Sequence, residues 1–303
     1  MKSFLFKISG FLLAFFLFDK LFILLTFIAP SKEVDQRLEQ VVQGNIHAQT
    51  IILGSSRAAR DISAKTIQEQ TKTATYSLAY PGSNVAFQEF ILRSLIASHS
   101  APKTVLLVLD NPIQLANDPL LTFRLDRLYP LVKYPIILDE LVAQGEKNKW
   151  MAACFYLHRI GKSSFDLRQK HFSAMDTILA DGSLPVSFQK EDVNWKKVEQ
   201  PVYDRAKEDS VRVRAFEKII DICNLKKIRL VCVIPPIYQG NADQVFFNRM
   251  KEIIKGRAEL YHFDEEDKSY SDFHYFYDET HLKNNGAIYF SKQLGQYLTT
   301  KSN

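Results

Sequence analysis

The sequence lacks most of the features that mark specialised classes of protein. Its three cysteines, Cys154, Cys223 and Cys232, are too few for a disulfide framework and do not have the spacing of a metal site. No Lys/Arg-rich run occurs and the net charge is only +5, so nothing indicates nucleic-acid binding. Short-period repeats and low-complexity tracts are also missing. The 303 residues, 46% hydrophobic and 24% charged, have the composition of a globular protein with one large domain or two small ones.

An apolar stretch occupies residues 8–29. Its length is about what a helix needs to cross a bilayer, roughly 20 residues. Lys2 and Lys7 precede it, so the positive-inside rule predicts a cytoplasmic N-terminus and an extracytoplasmic body. We therefore predict an uncleaved transmembrane signal anchor over residues 1–30, which would make the chain a single-pass protein of the cell membrane.

Asp19 and Lys20 interrupt this apolar stretch. Charged side chains in lipid are costly unless they pair, reach the interface or face another protein. The pair is therefore compatible with a membrane-protein partner that contacts the Asp19-containing helix. A cleaved signal peptide is the alternative, although the apolar stretch is long for one and no clear cleavage site precedes Pro30.

The stretch with the clearest chemical content follows a polar linker over residues 31–48. The apolar run at residues 51–53 stops at Gly54, which predicts a buried strand that leads into a sharp turn. Ser55 and Ser56 come next, before a helix-favouring segment. A serine on such a turn is lifted clear of the sheet and lies near backbone N–H groups that can hold an oxyanion. The alternative is that these serines only cap the helix.

Strands and helices alternate after this turn. Apolar, strand-like runs predict a mainly parallel sheet with helices on both faces, a three-layer α/β sandwich. The predicted strands lie near residues 50–53, 74–78, 105–109 and 228–234, with a short edge strand near 259–263; the predicted helices near the sheet lie at 64–72, 85–98, 207–224 and 246–254.

Residues 113–215 break this alternation. They are rich in aromatic, leucine and arginine residues and predict helices near 135–145 and 150–170, but no strong strand. We interpret the segment as a helical insertion that acts as a lid or as a surface for a partner. The main domain, at 49–303, would thus contain this insertion.

A second polar motif lies near the C-terminus. Asp278 and His281 are three residues apart, a spacing that can place both side chains on one side of a turn. A carboxylate so close can hold the imidazole in one tautomer and stabilise its protonated form. Asp272 and His274 lie nearby, and His274 is a rival for the same role.

The two motifs together resemble the SGNH (GDSL-like) hydrolase superfamily, in its membrane-anchored branch. The family has Gly-Ser-Ser or Gly-Asp-Ser after its first strand and Asp-x-x-His before its last helix. Here these blocks are Gly54-Ser55-Ser56 and Asp278-Glu279-Thr280-His281. The resemblance covers roughly residues 48–112 and 228–297. It implies a flavodoxin-like α/β fold with Ser56 as nucleophile, His281 as base and Asp278 as the residue that orients the base.

The resemblance also implies an oxyanion hole. The family's second-block glycine would be Gly82, and its third-block asparagine would be Asn111 or Asn84. Asn111 has the usual place after the third strand, but the family's Gly-x-Asn-Asp is absent there. Arg57 could face an anionic or sugar substrate, or could instead form a salt bridge with Asp61.

The function implied by the resemblance is acyl transfer. A membrane-anchored, extracytoplasmic serine esterase or O-acyltransferase would act on a cell-envelope polysaccharide or another glycan ester, without a metal or cofactor. A water acceptor would make it an esterase, and a sugar hydroxyl would make it a transferase. The alternative is a catalytically inactive relative that serves as a binding or scaffold subunit in a polysaccharide-assembly complex.

Overall fold

A computed structural model of the chain describes most of its residues: 2–28, 35–98, 101–109, 112–160, 177–197, 202–241 and 243–301. Contacts between residues divide the chain into two units. One unit contains Met1–Val42 and Arg124–His171, and the other contains Gln43–Phe123 and Phe172–Asn303. The predicted insertion at 113–215 thus contributes to both units.

The larger unit is built on a five-stranded, wholly parallel sheet in the order β2-β1-β3-β4-β5. This confirms the predicted α/β class, and the helices described below are consistent with a three-layer sandwich. The order 2-1-3-4-5 is that of flavodoxin-like sheets. The strands are β1 Thr50–Leu53, β2 Thr75–Ser77, β3 Thr104–Val108, β4 Arg229–Ile234 and, at the edge, β5 Glu259–His262.

Helices of this unit begin at residues suited to capping. The side chains of Ser63, Asn84, Asp209 and Asp243 each accept a hydrogen bond from a backbone N–H in the first turn of the helix that follows. The helices are α3 Ser56–Asp61, α4 Ala64–Thr71, α5 Val85–Ala97, α9 Ser210–Leu225, α10 Gln244–Ile254 and α11 Asn284–Thr300.

The helices pack in two groups. Helix α11 packs against α3 and α4, and one buried cluster joins their apolar side chains to alternate strand residues such as Ile52 and Val231. Helix α5 packs against α9. The buried side chains of these helices include Phe90 and Phe216, and the alternate strand residues that are not part of the first cluster, such as Ile51, are buried as well. Burial of both sheet faces explains why the strands are apolar throughout.

The strand order determines where a ligand site can form. β1 leads to β2 on one side, and β3 lies on its other side, so the chain changes direction between β1 and β3. In open parallel sheets, ligands bind beyond the carboxyl ends of the strands at such a switch point. Gly54 follows β1 directly, so the serine turn lies at this position.

The smaller unit contains α1 Lys2–Ile28 and α2 Arg37–Val42, the latter within the predicted linker at 31–48. The predicted insertion at 113–215 supplies three helices of this unit: α6 Leu125–Leu128, α7 Pro135–Ala143 and α8 Lys149–Cys154. Helix α7 agrees with the predicted helix near 135–145. Helix α8 overlaps the predicted helix near 150–170 but ends at Cys154, and residues 155–160 are not helical. Residues 161–176 lie outside the described residues.

The charges that interrupt α1 have partners within the chain. The Asp19 carboxylate accepts hydrogen bonds from the backbone N–H groups of Tyr156 and Leu157, each at 2.8 Å. The Lys20 ammonium donates to the Cys154 carbonyl at 2.6 Å. These contacts give both charged side chains partners within the chain, so no second protein is needed to account for them. The prediction of a partner at Asp19 stays untested, but the observation that suggested it has an intramolecular explanation.

The predicted transmembrane anchor over residues 1–30 is not supported. Among the residues that the structure describes, no helix has the combination of length and apolar character needed to cross a membrane. The apolar run of α1 is broken by Asp19 and Lys20.

Candidate active site

The turn after β1 requires glycine. Gly54 has a φ of +150°, a conformation that residues with a side chain rarely adopt. A Cβ atom there would lie 2.5 Å from the Cβ of Ala58 and 3.0 Å from that of Val108. The glycine thus allows the start of α3 to pack closely on β3. It places Ser56 as the first residue of α3, beyond the carboxyl end of β1.

A tight turn shapes the segment before α11. The Asp278 carboxylate accepts hydrogen bonds from the backbone N–H groups of Thr280 and His281 at 2.9 and 2.8 Å. The Thr280 hydroxyl also donates to Asp278 at 3.1 Å. These local bonds fold the Asp-x-x-His sequence so that the carboxylate and the imidazole face each other.

Ser56, His281 and Asp278 meet in one hydrogen-bonded chain. The Ser56 hydroxyl lies 2.9 Å from His281 Nε2. On the other side of the ring, Nδ1 lies 2.9 Å from Asp278 Oδ1 and 3.1 Å from Oδ2. With the Nδ1 proton directed at the carboxylate, Nε2 is the acceptor that faces the serine. Residues 225 positions apart are thereby brought together.

The charge on Asp278 suits this role. Partial burial raises the pKa of its carboxyl group. Stronger effects act in the opposite direction: His281 is attracted to the carboxylate and bonds to it, and backbone N–H groups of the turn donate to it. Together they hold the pKa well below its usual range. The carboxylate is therefore ionised at neutral pH. It can stabilise an imidazolium as His281 takes up a proton.

The rival residues have other positions. His274 Nδ1 pairs with Asp272 at 2.7 Å, and its side chain is 67% exposed. Among the described residues, His281 is the imidazole in contact with Ser56. Ser55 is buried and precedes α3 without capping it through its side chain.

The loop that contains Gly82 lies beside the serine turn. The Tyr80 backbone N–H and the Ser83 hydroxyl both donate to the Gly54 carbonyl, at 3.0 and 3.1 Å. Gly82 and Gly54 therefore lie at the same edge of the sheet. The Asn84 side-chain oxygen caps α5 by accepting from the Phe87 N–H at 3.1 Å. Asn111, the other candidate asparagine, lies outside the described residues.

Arg57 forms the salt bridge with Asp61 that the sequence offered as the alternative to a substrate contact. Its side chain is buried, and its Nε lies 3.3 Å from the Asp61 carboxylate, four residues along the helix. Its terminal nitrogen donates to the carbonyls of Pro235 and Pro236 at 2.8 and 2.7 Å. The guanidinium is thus used to attach α3 to the loop that follows β4.

Asp61 has a role at the site that the sequence did not indicate. Its side chain is fully buried, and its Oδ1 accepts a hydrogen bond from the Leu282 N–H at 2.8 Å. Burial raises the pKa of the Asp61 carboxyl group to about 6, although Arg57, His281 and the Leu282 N–H act in the opposite direction. The sequence offered the pairing of Arg57 with Asp61 as one of two alternatives, but nothing in it connected Asp61 with residue 282.

An aromatic cluster covers the segment before Asp278. The ring of Trp195 lies 5.1 Å from that of Tyr238 and 5.6 Å from that of Phe273, between ring centroids. The Tyr238 N–H donates to the Glu279 carbonyl at 3.0 Å, so this cluster is attached directly to the Asp-x-x-His turn. Sequence analysis missed it, because Trp195 comes from the insertion and has no recognisable motif around it.

Arg212 was also missed, although it organises the loop after β3. Its buried guanidinium donates to backbone carbonyls at both ends of that loop, including Ile113 at 2.8 Å and Leu121 at 2.7 Å. The next residue, Thr122, bonds Gly82 and Asn84 through its backbone. Arg212, on α9, therefore supports the loop beside the proposed oxyanion hole, although it is more than 90 residues away from that loop along the chain.

Comparison with known proteins adds no family to this description. No known family model matches the chain, and no curated protein matches it significantly.

Proposed function

We propose that the chain is a serine esterase or O-acyltransferase of the SGNH (GDSL-like) type. The observation that carries the proposal is the hydrogen-bonded chain from Ser56 through His281 to Asp278 at the carboxyl edge of a flavodoxin-like sheet. The order of the three residues along the chain and the glycine that precedes Ser56 support the same class. The resemblance rests on these blocks of sequence and on the geometry that brings them together.

In the proposed reaction, the Ser56 oxygen attacks the acyl carbonyl carbon while His281 Nε2 takes the serine proton. Asp278 holds the imidazole and stabilises its positive charge. Backbone N–H groups at the start of α3 and in the Gly82 loop stabilise the oxyanion. His281 then gives its proton to the leaving alcohol, and an acyl-enzyme forms. Water releases the acyl group in an esterase, and a sugar hydroxyl accepts it in a transferase.

The proposed setting is the outer side of a membrane, with a cell-envelope polysaccharide or other glycan ester as substrate. Lys2 and Lys7 ahead of the apolar stretch support this orientation. The structure adds one supporting observation: most of the large apolar side chains that are exposed among the described residues lie on α1. Such a surface favours contact with lipid or protein over contact with water.

Labelling with a fluorophosphonate tests the proposed nucleophile. The full-length chain should be labelled at Ser56, and Ser56→Ala should not be. Ser55→Ala is the matched control and should be labelled normally. Ser56→Ala, His281→Ala and Asp278→Ala should each lower hydrolysis of a small acetyl ester by about 10⁴-fold or more, and their effects should not add because the three residues act as a unit.

Two results would contradict the proposal. Normal labelling of Ser56→Ala would exclude this nucleophile. A folded wild-type chain that takes no probe and hydrolyses no ester would favour the binding or scaffold function instead.

A further inference from the structure

The short helix α3 contacts the catalytic histidine segment at two points. At its first residue, the Ser56 hydroxyl lies 2.9 Å from His281 Nε2. At its last residue, Asp61 Oδ1 accepts the backbone N–H of Leu282 at 2.8 Å. The second contact involves the residue adjacent to His281. The position of the imidazole along α3 is therefore fixed by a backbone hydrogen bond as well as by the catalytic contact itself.

A third segment holds Asp61 in place. Asp61 Oδ2 lies 3.3 Å from Arg57 Nε, and the same guanidinium donates to the carbonyls of Pro235 and Pro236. Three separate parts of the chain thus converge here: the turn after β1, the loop after β4 and the segment before α11. Each lies on the edge of the sheet where the candidate active site is found.

We propose that Asp61 is a positioning residue for the reaction, with Arg57 as its support. By holding the Leu282 N–H, Asp61 keeps His281 Nε2 within hydrogen-bond reach of the Ser56 oxygen. Among the described residues, the hydrogen bonds of the Asp61 carboxylate go to Arg57 and the Leu282 N–H, not to the Ser56 hydroxyl or the His281 ring. This inference rests on the proposed function, because it assigns a role within the same site.

The competing explanation is that Arg57 and Asp61 form a buried ion pair that serves folding only. Such pairs contribute little net stability, because desolvation offsets the charge attraction, yet removal of one partner is costly. The two explanations differ in what the Asp61 oxygen must do. Positioning requires an acceptor for the Leu282 N–H, whereas ion pairing requires a negative charge.

Two substitutions at Asp61 separate acceptor from charge. Asp61→Asn removes the charge but keeps an oxygen that can accept the Leu282 N–H, whereas Asp61→Leu removes both. Displacement of a catalytic group by about 1 Å can lower a rate by about 10²-fold. We therefore expect fluorophosphonate labelling of Ser56 to be about 10²-fold slower in Asp61→Leu than in wild type. Labelling of Asp61→Asn should be slowed much less, by about tenfold or less.

The ion pair between Arg229 and Glu259 provides a matched control. Arg229 and Glu259 are the first residues of β4 and β5, so the pair lies at the amino ends of these strands. The guanidinium donates to the two Glu259 carboxylate oxygens at 2.7 and 3.0 Å. Glu259→Gln removes a charge from the same sheet without contact with the site. It should therefore be labelled at the wild-type rate, whatever its stability.

A crystal structure of Asp61→Leu supplies a readout that does not depend on activity. The distance from Ser56 Oγ to His281 Nε2, now 2.9 Å, should open beyond about 3.5 Å, where a hydrogen bond is lost. Arg57→Lys tests the supporting residue if Asp61→Leu does not fold. It keeps the positive charge but cannot donate to Asp61 and the loop carbonyls in the same way, so its labelling should also be slowed.

The outcomes are distinguishable. Equal labelling of Asp61→Leu, or of Arg57→Lys in its place, and wild type would overturn the positioning role and leave the proposed function intact. Equal slowing in Asp61→Asn and Asp61→Leu would also overturn it, in favour of charge alone. If wild type takes no probe, the proposed function fails, and the Ser56–His281 distance in the variant structure still decides whether Asp61 positions the ring.

Discussion

Substitution of Gly54 by alanine should damage the protein through two physical effects that the structure makes explicit. The first is backbone strain, since a φ of +150° at a residue with a side chain costs about 1–3 kcal/mol. The second is overpacking: the new Cβ would lie 2.5 Å from the Cβ of Ala58 and 3.1 Å from the Val108 carbonyl oxygen. Overpacking of a buried site typically costs a further 1–3 kcal/mol, so the total should be about 4 kcal/mol.

The assay is thermal unfolding of the full-length chain, followed by circular dichroism. A loss of about 4 kcal/mol should lower the melting midpoint of this 303-residue chain by about 6 °C. Gly256→Ala is a matched control, because Gly256 has a φ of +73° but no atom within 4 Å of the new Cβ. It should show only the strain of a left-handed residue, about 1 kcal/mol. If both variants lost the same stability, the close contact of the serine turn with Ala58 and β3 would not be as described.

Four further predictions concern charge, loop support and topology. Because the pKa of buried Asp61 is raised to about 6, the free energy of unfolding of wild type should fall by about 2 kcal/mol relative to Asp61→Asn as the pH rises from about 4 to 7. Urea unfolding at several pH values measures this difference. The Asp278 carboxyl has a lowered pKa, so its contribution is complete above about pH 4 and should be lost as the pH falls further in the same titration. Arg212→Leu leaves buried backbone carbonyls without their donor and should cost about 3 kcal/mol in thermal unfolding, while Arg212→Lys recovers only part of it. A reporter fused after residue 303 should be active outside the cytoplasm, and activity only inside would contradict the proposed orientation.

The order of strands and helices could be read from local pattern. Uninterrupted apolar runs of three to five residues, ended by Gly54 or by Pro235, are typical of strands buried on both faces, and the structure places strands there. The helix predicted at 85–98 is likewise observed, at Val85–Ala97. These signals are local, because hydrogen bonding and burial within a short segment determine them.

The contents of the site could be predicted in part. Ser56 and His281 stood out because each lies in a short motif that fits one chemical role. Arg57 was ambiguous, because a guanidinium four residues before an aspartate can pair with it or face a ligand with equal ease. Only burial of the side chain and the carbonyls of Pro235 and Pro236 decided between the two.

By itself, the sequence determined the strand pattern, the glycine turn after β1 and the Asp-x-x-His turn before α11, because each depends on neighbours a few residues away. Tertiary structure alone decided that Asp61 holds the Leu282 N–H and that Asp19 binds the backbone at Tyr156. In both cases a carboxylate accepts from a backbone N–H more than 130 residues distant. Every non-proline residue offers that donor, so no side-chain pattern in the sequence can mark which one will be used.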